Sequence, residues 1–212
     1  MIHIDVYADV VCPWCYVGEK RLGQALDRRP DLPVERRWRS FQLRPEMPEA
    51  GLPWREFAVD KFGGEDRMRA AFAHVSAAGE PDGIHFDFDR VASAPNTVDA
   101  HRLILHAAEH DLQWETANAL FEAYFTHGAN LNDHAELVEV AKGADLDVNE
   151  VGAFLSGDGL KDAVWRDQEE AGRVGVSSVP FYVFDGRYAL SGSQPVEAFL
   201  QALDSLRIEQ VF

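Results

Sequence analysis

The stretch Asp9-Val-Val-Cys12-Pro-Trp-Cys15 decides the fold, because it joins a strand-like segment to a helix-like one. Before it, Ile2-His-Ile-Asp-Val-Tyr-Ala8 alternates with the period of two that is typical of a β-strand. Pro13 suits the first turn of a helix. Apolar residues then recur at near-helical spacing: Tyr16, Leu22, Ala25 and Leu26. The sequence predicts a strand, a turn and a helix, with Cys12 at or next to the helix N-cap.

A cysteine at a helix N-terminus is well placed to act as a nucleophile. The thiolate is the attacking species, and the unpaired N–H groups and dipole of the helix stabilise this anion. Cys15 follows one turn later on the same side, so it can close on Cys12 and release a mixed disulfide. We therefore predict that Cys12 is the nucleophile at the exposed helix end and that Cys15 is the resolving thiol.

The composition excludes several classes of protein. Two cysteines in 212 residues cannot form the disulfide scaffold of a small secreted protein. The formal net charge of −16 disfavours binding to nucleic-acid phosphates and to acidic membrane surfaces. The N-terminal segment lacks the pattern of a signal peptide, and no segment has the roughly 18 apolar residues of a membrane helix. We expect a soluble cytoplasmic protein without a nucleic-acid or membrane partner.

A Cys-x-x-Cys spacing also occurs in zinc sites, which take four ligands from a second cysteine pair or from two close histidines. The chain has no further cysteine, and the pairs His101/His106 and His106/His110 fall on predicted helices in mid-chain. We therefore predict no metal site. His101 and His106 are interpreted as helix-face residues without a catalytic role.

The middle of the chain is predicted to be helical. A second strand over 34–43 precedes it, and from about Leu52 the apolar period changes from two to about 3.6. The later helices are predicted at Asn96–Glu109, Glu115–Thr126, His134–Gly143, Val148–Leu155 and Leu160–Val174. The aromatic residues predicted to lie in the core are Phe41, Phe121, Tyr124, Phe125 and Trp165.

The chain returns to strand signals near its end. Val179-Pro180-Phe-Tyr-Val-Phe184 and 187–190 flank Asp185-Gly186, a strong hairpin signal, and an amphipathic helix follows from Val196. Pro180 has two interpretations. It is the first residue of a strand, where its missing N–H does no harm, or it follows a cis bond whose loop faces the cysteine pair. In the second case the backbone of Val179 is free to pair with an extended substrate.

Together these motifs resemble the thioredoxin-fold DsbA family, and within it the FrnE-like subgroup. The segments that carry the resemblance, besides Cys12 to Cys15, are Trp38–Pro45, Asn96–Leu103, Gly175–Phe181 and Ser191–Gln194. It implies an α/β thioredoxin fold, βαβ…ββα, with a large all-helical insertion. Residues 1–50 and 176–212 would form the thioredoxin-like domain and 51–175 the insertion.

The resemblance also implies an activity and site residues. The expected function is a cytoplasmic thiol–disulfide oxidoreductase, including disulfide isomerisation, without a resident cofactor. Its partner is a disulfide- or thiol-containing protein or small molecule. Cys12, Cys15 and cis Pro180 are the implied catalytic residues; Pro13, Trp14 and Val179 are expected to contact substrate, with Trp14 exposed beside the thiols. Trp14 replaces the histidine usual in periplasmic relatives, so their strongly oxidising potential is not carried over.

Two alternatives stay open. The kappa-class glutathione transferases and 2-hydroxychromene-2-carboxylate isomerases are similar in the insertion but generally have serine at the position of Cys12. Glutathione therefore stays open as a co-substrate, with Asn96 and Gln194 as candidate contacts; a helix cap and a turn are the structural alternatives for these two residues. The third hypothesis is a glutathione-bridged iron–sulfur cluster held by Cys12 of two subunits. The expected oligomeric state is a monomer or a homodimer.

Overall fold

The computed structural model describes residues 1–209 and has an α/β architecture. Its strands are β1 (Ile2–Ala8), β2 (Val34–Ser40), β3 (Leu52–Pro53), β4 (Ser93–Ala94), β5 (Phe181–Phe184) and β6 (Tyr188–Ser191). Its α-helices are α1 (Pro13–Asp27), α2 (Trp54–Phe62), α3 (Glu65–Gly79), α4 (Val98–Ala107), α5 (Gln113–Phe125), α6 (His134–Gly143), α7 (Val148–Leu155), α8 (Lys161–Arg173) and α9 (Val196–Glu209). Residues 210–212, the end of the segment 176–212 predicted to belong to the thioredoxin-like domain, lie outside the described residues.

The main sheet has four strands in the order β2-β1-β5-β6. β1 pairs in parallel with β2, from Ile2 opposite Val34 to Ala8 opposite Ser40, and antiparallel with β5. A parallel neighbour requires a crossover, which α1 supplies. β1 is therefore central, and its C-terminal end delivers Asp9 and Cys12 to the edge where α1 begins.

Helices α2 to α8 form the insertion between β2 and β5. The predicted bounds of α6 and α7 are confirmed, and the side chains of Asp133 and Asp147 accept hydrogen bonds from the first N–H groups of these two helices. The short antiparallel pair of β3 and β4 was not predicted, because two residues are too few to show a period. No helix in the described part is long and apolar enough to cross a membrane.

The aromatic core joins the insertion to the sheet. The ring of Tyr16 on α1 stacks on Phe121 at a centroid distance of 5.1 Å, and Trp38 of β2 lies 6.2 Å from the same ring. The predicted core residues are buried with one exception. Trp165 is exposed because α8 turns a different stripe inward, formed by Val164, Asp167 and Ala171.

Gly18 of helix α1 lies directly against the Tyr182 side chain of β5. A Cβ at this position would overlap the Tyr182 hydroxyl and would come within 3.1 Å of the Pro180 ring. The absence of a side chain at Gly18 thus lets the first turns of α1 pack directly against the loop and strand that carry Pro180.

Candidate active site

Cys12 is the N-cap of helix α1, as predicted. Its backbone is extended, with φ −98° and ψ 109°, and Pro13 begins the helix. The Cys12 N–H donates to the Asp9 carbonyl over 3.0 Å, and the Cys12 carbonyl accepts from the Cys15 N–H over 2.9 Å. A tight turn therefore fixes Cys12 at the positive end of the helix dipole, with Cys15 one turn further on.

The Cys12 thiol is less accessible than predicted. Cys12 is only 6% exposed and Cys15 only 2%, and both are free thiols. The expectation that Cys12 occupies an exposed helix end is wrong because the loop before β5 covers it: the Cys12 Sγ lies 3.7 Å from the Val179 carbonyl oxygen, to which the thiol donates. The Val179–Pro180 peptide bond of this loop is cis, as the resemblance implies.

The two thiols differ in acidity. A hydrogen bond from the Cys15 thiol lowers the pKa of Cys12, and backbone N–H groups of Cys15 and Trp14 add to this effect, against burial and the charge of Asp9, which raise it. Burial raises the pKa of Cys15 well above its usual value, and its hydrogen bond to Cys12 raises it further. Cys12 is therefore the more acidic thiol of the pair, and the nucleophile and resolving roles of the two residues stay a prediction.

The acidity of Cys12 gives a pH-dependent prediction. We expect the rate of Cys12 alkylation by iodoacetamide to rise with pH and to reach its plateau at a lower pH than for an unperturbed thiol. In Cys15→Ala the midpoint shifts to higher pH because the principal donor is lost, whereas Cys15→Ser keeps a hydroxyl donor and shifts less. Because the pKa of Cys12 is lower in the folded than in the unfolded protein, the Cys12 thiolate also stabilises the reduced fold. This stabilisation is fully present above the unfolded pKa of Cys12 and is lost as the pH falls through its folded pKa. Identical alkylation midpoints in the wild type, Cys15→Ala and Cys15→Ser would contradict the assignment of the Cys15 thiol as the donor that lowers the pKa of Cys12.

A buried polar network adjoins the thiols. Asp9 Oδ2 accepts from the Leu43 N–H over 2.8 Å, and Asp9 Oδ1 lies 3.3 Å from His101 Nε2. The indole N–H of Trp38 donates to His101 Nδ1 over 3.2 Å. His101 is therefore a core residue behind the site rather than a residue of a free helix face. The carboxylate of Asp9 raises the pKa of both cysteines, so it opposes thiolate formation.

A small cleft beside Asp9 carries positive charge on its rim. Its volume is about 20 Å³, the space of roughly one water molecule. The side chains of Arg44 and Lys61, both exposed, lie 6.0 and 5.8 Å from the Phe57 ring in its lining. The Lys61 charge also interacts favourably with Cys12. A larger, open cavity of ≈ 980 Å³ runs along β2 and α8 and does not include the cysteines in its lining.

Three other residues predicted to contact a substrate or glutathione, Trp14, Asn96 and Gln194, make contacts within the protein instead. Trp14 is half-buried rather than exposed, because its ring packs against His74 of α3 at 5.4 Å. Asn96 donates to the Met47 carbonyl over 2.7 Å and accepts from the Val98 N–H over 3.1 Å, so it helps to start α4. Gln194 donates to the Ser191 carbonyl over 2.7 Å within the turn after β6.

The structure thus brings the cysteines, Val179 and Pro180 together, and it adds residues that the sequence did not single out. Asp9 and Lys61 are charged groups that act on Cys12. A signal for Asp9 existed in the sequence, since it is an acidic residue directly after β1 and three residues before Cys12. Lys61 had none, because its approach to the site depends on how α2 packs.

A sheet of this order, with a crossover helix after its first strand and a closing hairpin and helix, is a thioredoxin fold with a helical insertion. The chain belongs to the family of DSBA-like thioredoxin domains, whose model matches residues 3–204. This confirms the resemblance at the level of the DsbA-like family.

Two individual relatives align with nearly the whole chain, and the first of them is described as a DsbA oxidoreductase. A probable DsbA oxidoreductase from Streptomyces coelicolor has 34% sequence identity and a TM-score of 0.89, over 97% of this chain and 89% of that one. YwbO of Bacillus subtilis is 26% identical over 206 residues, which are 95% of this chain and 96% of that protein.

Two more distant structures share the fold. A 2-hydroxychromene-2-carboxylate isomerase has a TM-score of 0.75 at 16% identity, over 99% of this chain and 98% of that one. The cytosolic disulfide reductase DsbM from Pseudomonas aeruginosa, solved with GSH, has a TM-score of 0.67 at 19% identity, over 97% of this chain and 99% of that one.

Proposed function

We propose that this protein is a cytoplasmic thiol–disulfide oxidoreductase of the FrnE-like type that uses Cys12 and Cys15. The observation that carries the proposal is the asymmetry of the pair: a Cys12 thiol of lowered pKa at a helix N-terminus, with a Cys15 thiol of raised pKa hydrogen-bonded to it. Such a pair has one sulfur ready to attack and a second held in reserve. The partner is a disulfide- or thiol-containing protein or small molecule, met by a monomer or a homodimer.

The reaction follows from these roles. The Cys12 thiolate attacks one sulfur of a substrate disulfide, so a Cys12–substrate bond forms and the substrate S–S bond breaks; the released substrate thiolate takes a proton. Cys15 then loses its proton and attacks Cys12 Sγ, which releases the second substrate thiol. The substrate is reduced by two electrons and the cysteine pair is oxidised to a disulfide. A thiol such as glutathione would reduce the pair again, so no resident cofactor is required.

The loop before β5 supplies the substrate contacts in this proposal. The Val179 carbonyl already accepts a hydrogen bond from Cys12, so an extended substrate strand beside it would lie within reach of the sulfur. Pro13 and Trp14, both half-buried, border the same thiol. Asn96 and Gln194 would have to exchange their intramolecular hydrogen bonds before they could contact a substrate.

The test is turnover by the purified wild-type protein. We expect it to accelerate the reduction of insulin disulfides by dithiothreitol or glutathione. The reaction is measured as the turbidity that appears when the freed B chain precipitates. A wild-type protein that leaves the uncatalysed rate unchanged with both reductants, while its two thiols are free and titratable, would overturn the proposal.

A second candidate function is a glutathione-dependent transferase or small-molecule isomerase. The observation that favours it is the pair of cations, Arg44 and Lys61, in the lining of the cleft beside Asp9, where the Lys61 charge also interacts favourably with Cys12. Such cations suit the carboxylates of a small anionic thiol. It is tested by calorimetric titration with glutathione. Binding that weakens in Lys61→Gln would support it, and no binding at millimolar glutathione would exclude it.

A further inference from the structure

Three potential metal ligands meet at the far end of helix α4. His106 is in its last turn, His110 ends the short 3-10 turn that follows, and Glu150 is in the first turn of α7. The Glu150 Oε1 lies 3.5 Å from His106 Nε2 and 3.2 Å from His110 Nε2, and the three ligand atoms all lie within 4.8 Å of one another. The sequence offered only the histidine pair; folding adds the carboxylate.

The two separations that involve Glu150 suit a tetrahedral ion. With zinc bonds of roughly 2.0–2.1 Å, two ligands of one tetrahedral ion are about 3.3 Å apart. The two distances from Glu150 to the histidines bracket this value. The histidines are four residues apart in sequence, and their ring centroids lie 5.2 Å from each other.

His106 supplies an independent indication of a ligand. It is only 6% exposed, yet its Nε2 makes no hydrogen bond within the described part of the chain. A buried polar atom without a partner costs about 1–3 kcal/mol. The ring is held in place by stacking on Phe154, at 4.3 Å between centroids and 11° between planes. A rigid, buried nitrogen is thus presented to the Glu150 carboxylate.

We propose that His106, His110 and Glu150 bind one divalent transition-metal ion of the zinc class. Two imidazole nitrogens and one carboxylate oxygen favour Zn²⁺ and its neighbours over Mg²⁺ or Ca²⁺, which prefer all-oxygen sites. The Glu109 carboxylate, 3.9 Å from His106 Nδ1, lies where it would orient this ligand from the second nitrogen. The ion would tie the end of α4 to the start of α7, and a water molecule would fill a fourth position. The site is independent of the thiol chemistry proposed above.

Calorimetric titration with ZnCl₂ tests the site. Because thiolates are zinc ligands in general, the titrations use the full-length Cys12→Ser/Cys15→Ser protein, in which any bound zinc is held elsewhere. We expect one equivalent of Zn²⁺ to bind. His110→Ala and Glu150→Gln should each weaken binding at least roughly tenfold, since the loss of even an outer partner of a metal ligand costs 10–100-fold. His127→Ala is the matched control, because His127 lies 3.7 Å from a single carboxylate, Glu122, and should leave binding unchanged.

Two further measurements decide the outcome if a variant folds poorly. Zn²⁺ should raise the Tm of the background protein, because it binds the folded state, and should raise it less in Glu150→Gln. Co²⁺ should give the visible absorption of a tetrahedral ion, and this band should be lost in His110→Ala. Absence of Zn²⁺ binding, or equal affinity in His110→Ala, Glu150→Gln and His127→Ala, would overturn the proposal.

Discussion

Cys12→Ser is expected to lose disulfide reduction down to the uncatalysed rate, whereas Cys15→Ser is expected to accumulate a covalent complex with its substrate. The difference follows from the acidity of the two thiols. Cys12 has the lowered pKa and the position at the helix N-terminus, so its removal leaves a buried Cys15 thiol of raised pKa that cannot start the reaction. Removal of Cys15 leaves the first attack intact but removes the thiol that resolves the mixed disulfide.

The measurement is non-reducing gel electrophoresis with intact mass spectrometry after incubation with a disulfide substrate. Cys15→Ser should show an adduct that dithiothreitol removes, and Cys12→Ser/Cys15→Ser, which has no thiol, should show none. Serine at position 15 keeps a hydroxyl near Cys12 and leaves no large cavity. A loss of turnover in Cys15→Ser would therefore result from the missing thiol. Unchanged turnover in Cys12→Ser would contradict the assignment of the nucleophile.

The same variants separate the two candidate functions. A glutathione-dependent transferase or isomerase needs one thiol-activating residue and no resolving partner, so its activity should survive Cys15→Ser. A dithiol enzyme should lose turnover in both single variants. Activity that survives in Cys15→Ser would show that Cys15 is not needed for turnover. Loss of turnover in both single variants would assign the resolving role to Cys15.

Local signals predicted the elements that position the cysteines. The alternation before Asp9, the proline after Cys12 and the apolar spacing beyond it correctly gave β1, α1 and the N-cap, because strand periods and caps are determined by neighbours in sequence. The order of elements, together with the motifs of the resemblance, gave the thioredoxin fold with its helical insertion. The exact partition into 1–50, 51–175 and 176–212 stays a prediction.

Features set by distant contacts were not predicted. The loop of Val179, 167 residues from Cys12, covers the thiol that was expected to be exposed. His101 reaches Asp9 only because α4 packs behind the end of β1. Trp165 directly follows Val164 of the buried stripe of α8, but its own side chain falls outside that stripe. In each case the packing of two elements decides burial, and a one-dimensional pattern contains no information about their rotation.

Arg102 shows most strongly how such distant contacts hold the insertion together. It is a charged residue on α4 with only 1% exposure. Its guanidinium donates to the carbonyls of Phe154, Gly157 and Gly159, at 3.1, 2.6 and 2.6 Å, and to Asp99 at 2.6 Å. These carbonyls belong to the end of α7 and to the turn that leads into α8, so one side chain supplies the donors for a whole connection.

Arg102→Met is therefore expected to lower the free energy of unfolding by about 3–5 kcal/mol, the range for breaking a buried charged network. Methionine fills similar space but donates nothing, so three carbonyls and the carboxylate of Asp99 lose a donor. Arg173→Met is the matched control: it makes the same chemical change at a guanidinium that is 68% exposed and paired with surface carboxylates, and should cost less than about 1 kcal/mol. Urea unfolding followed by circular dichroism measures both.

A third variant separates charge from geometry at the same position. Arg102→Lys keeps the positive charge, but an ammonium group is a compact donor and cannot span four acceptors arranged around a planar fork. We expect it to lose more stability than Arg173→Lys and less than Arg102→Met. If Arg102→Lys were as stable as the wild type, charge alone would be sufficient and the role of the planar fork would be wrong. If Arg102→Met and Arg173→Met lost equal amounts, the buried network would contribute nothing beyond a surface ion pair.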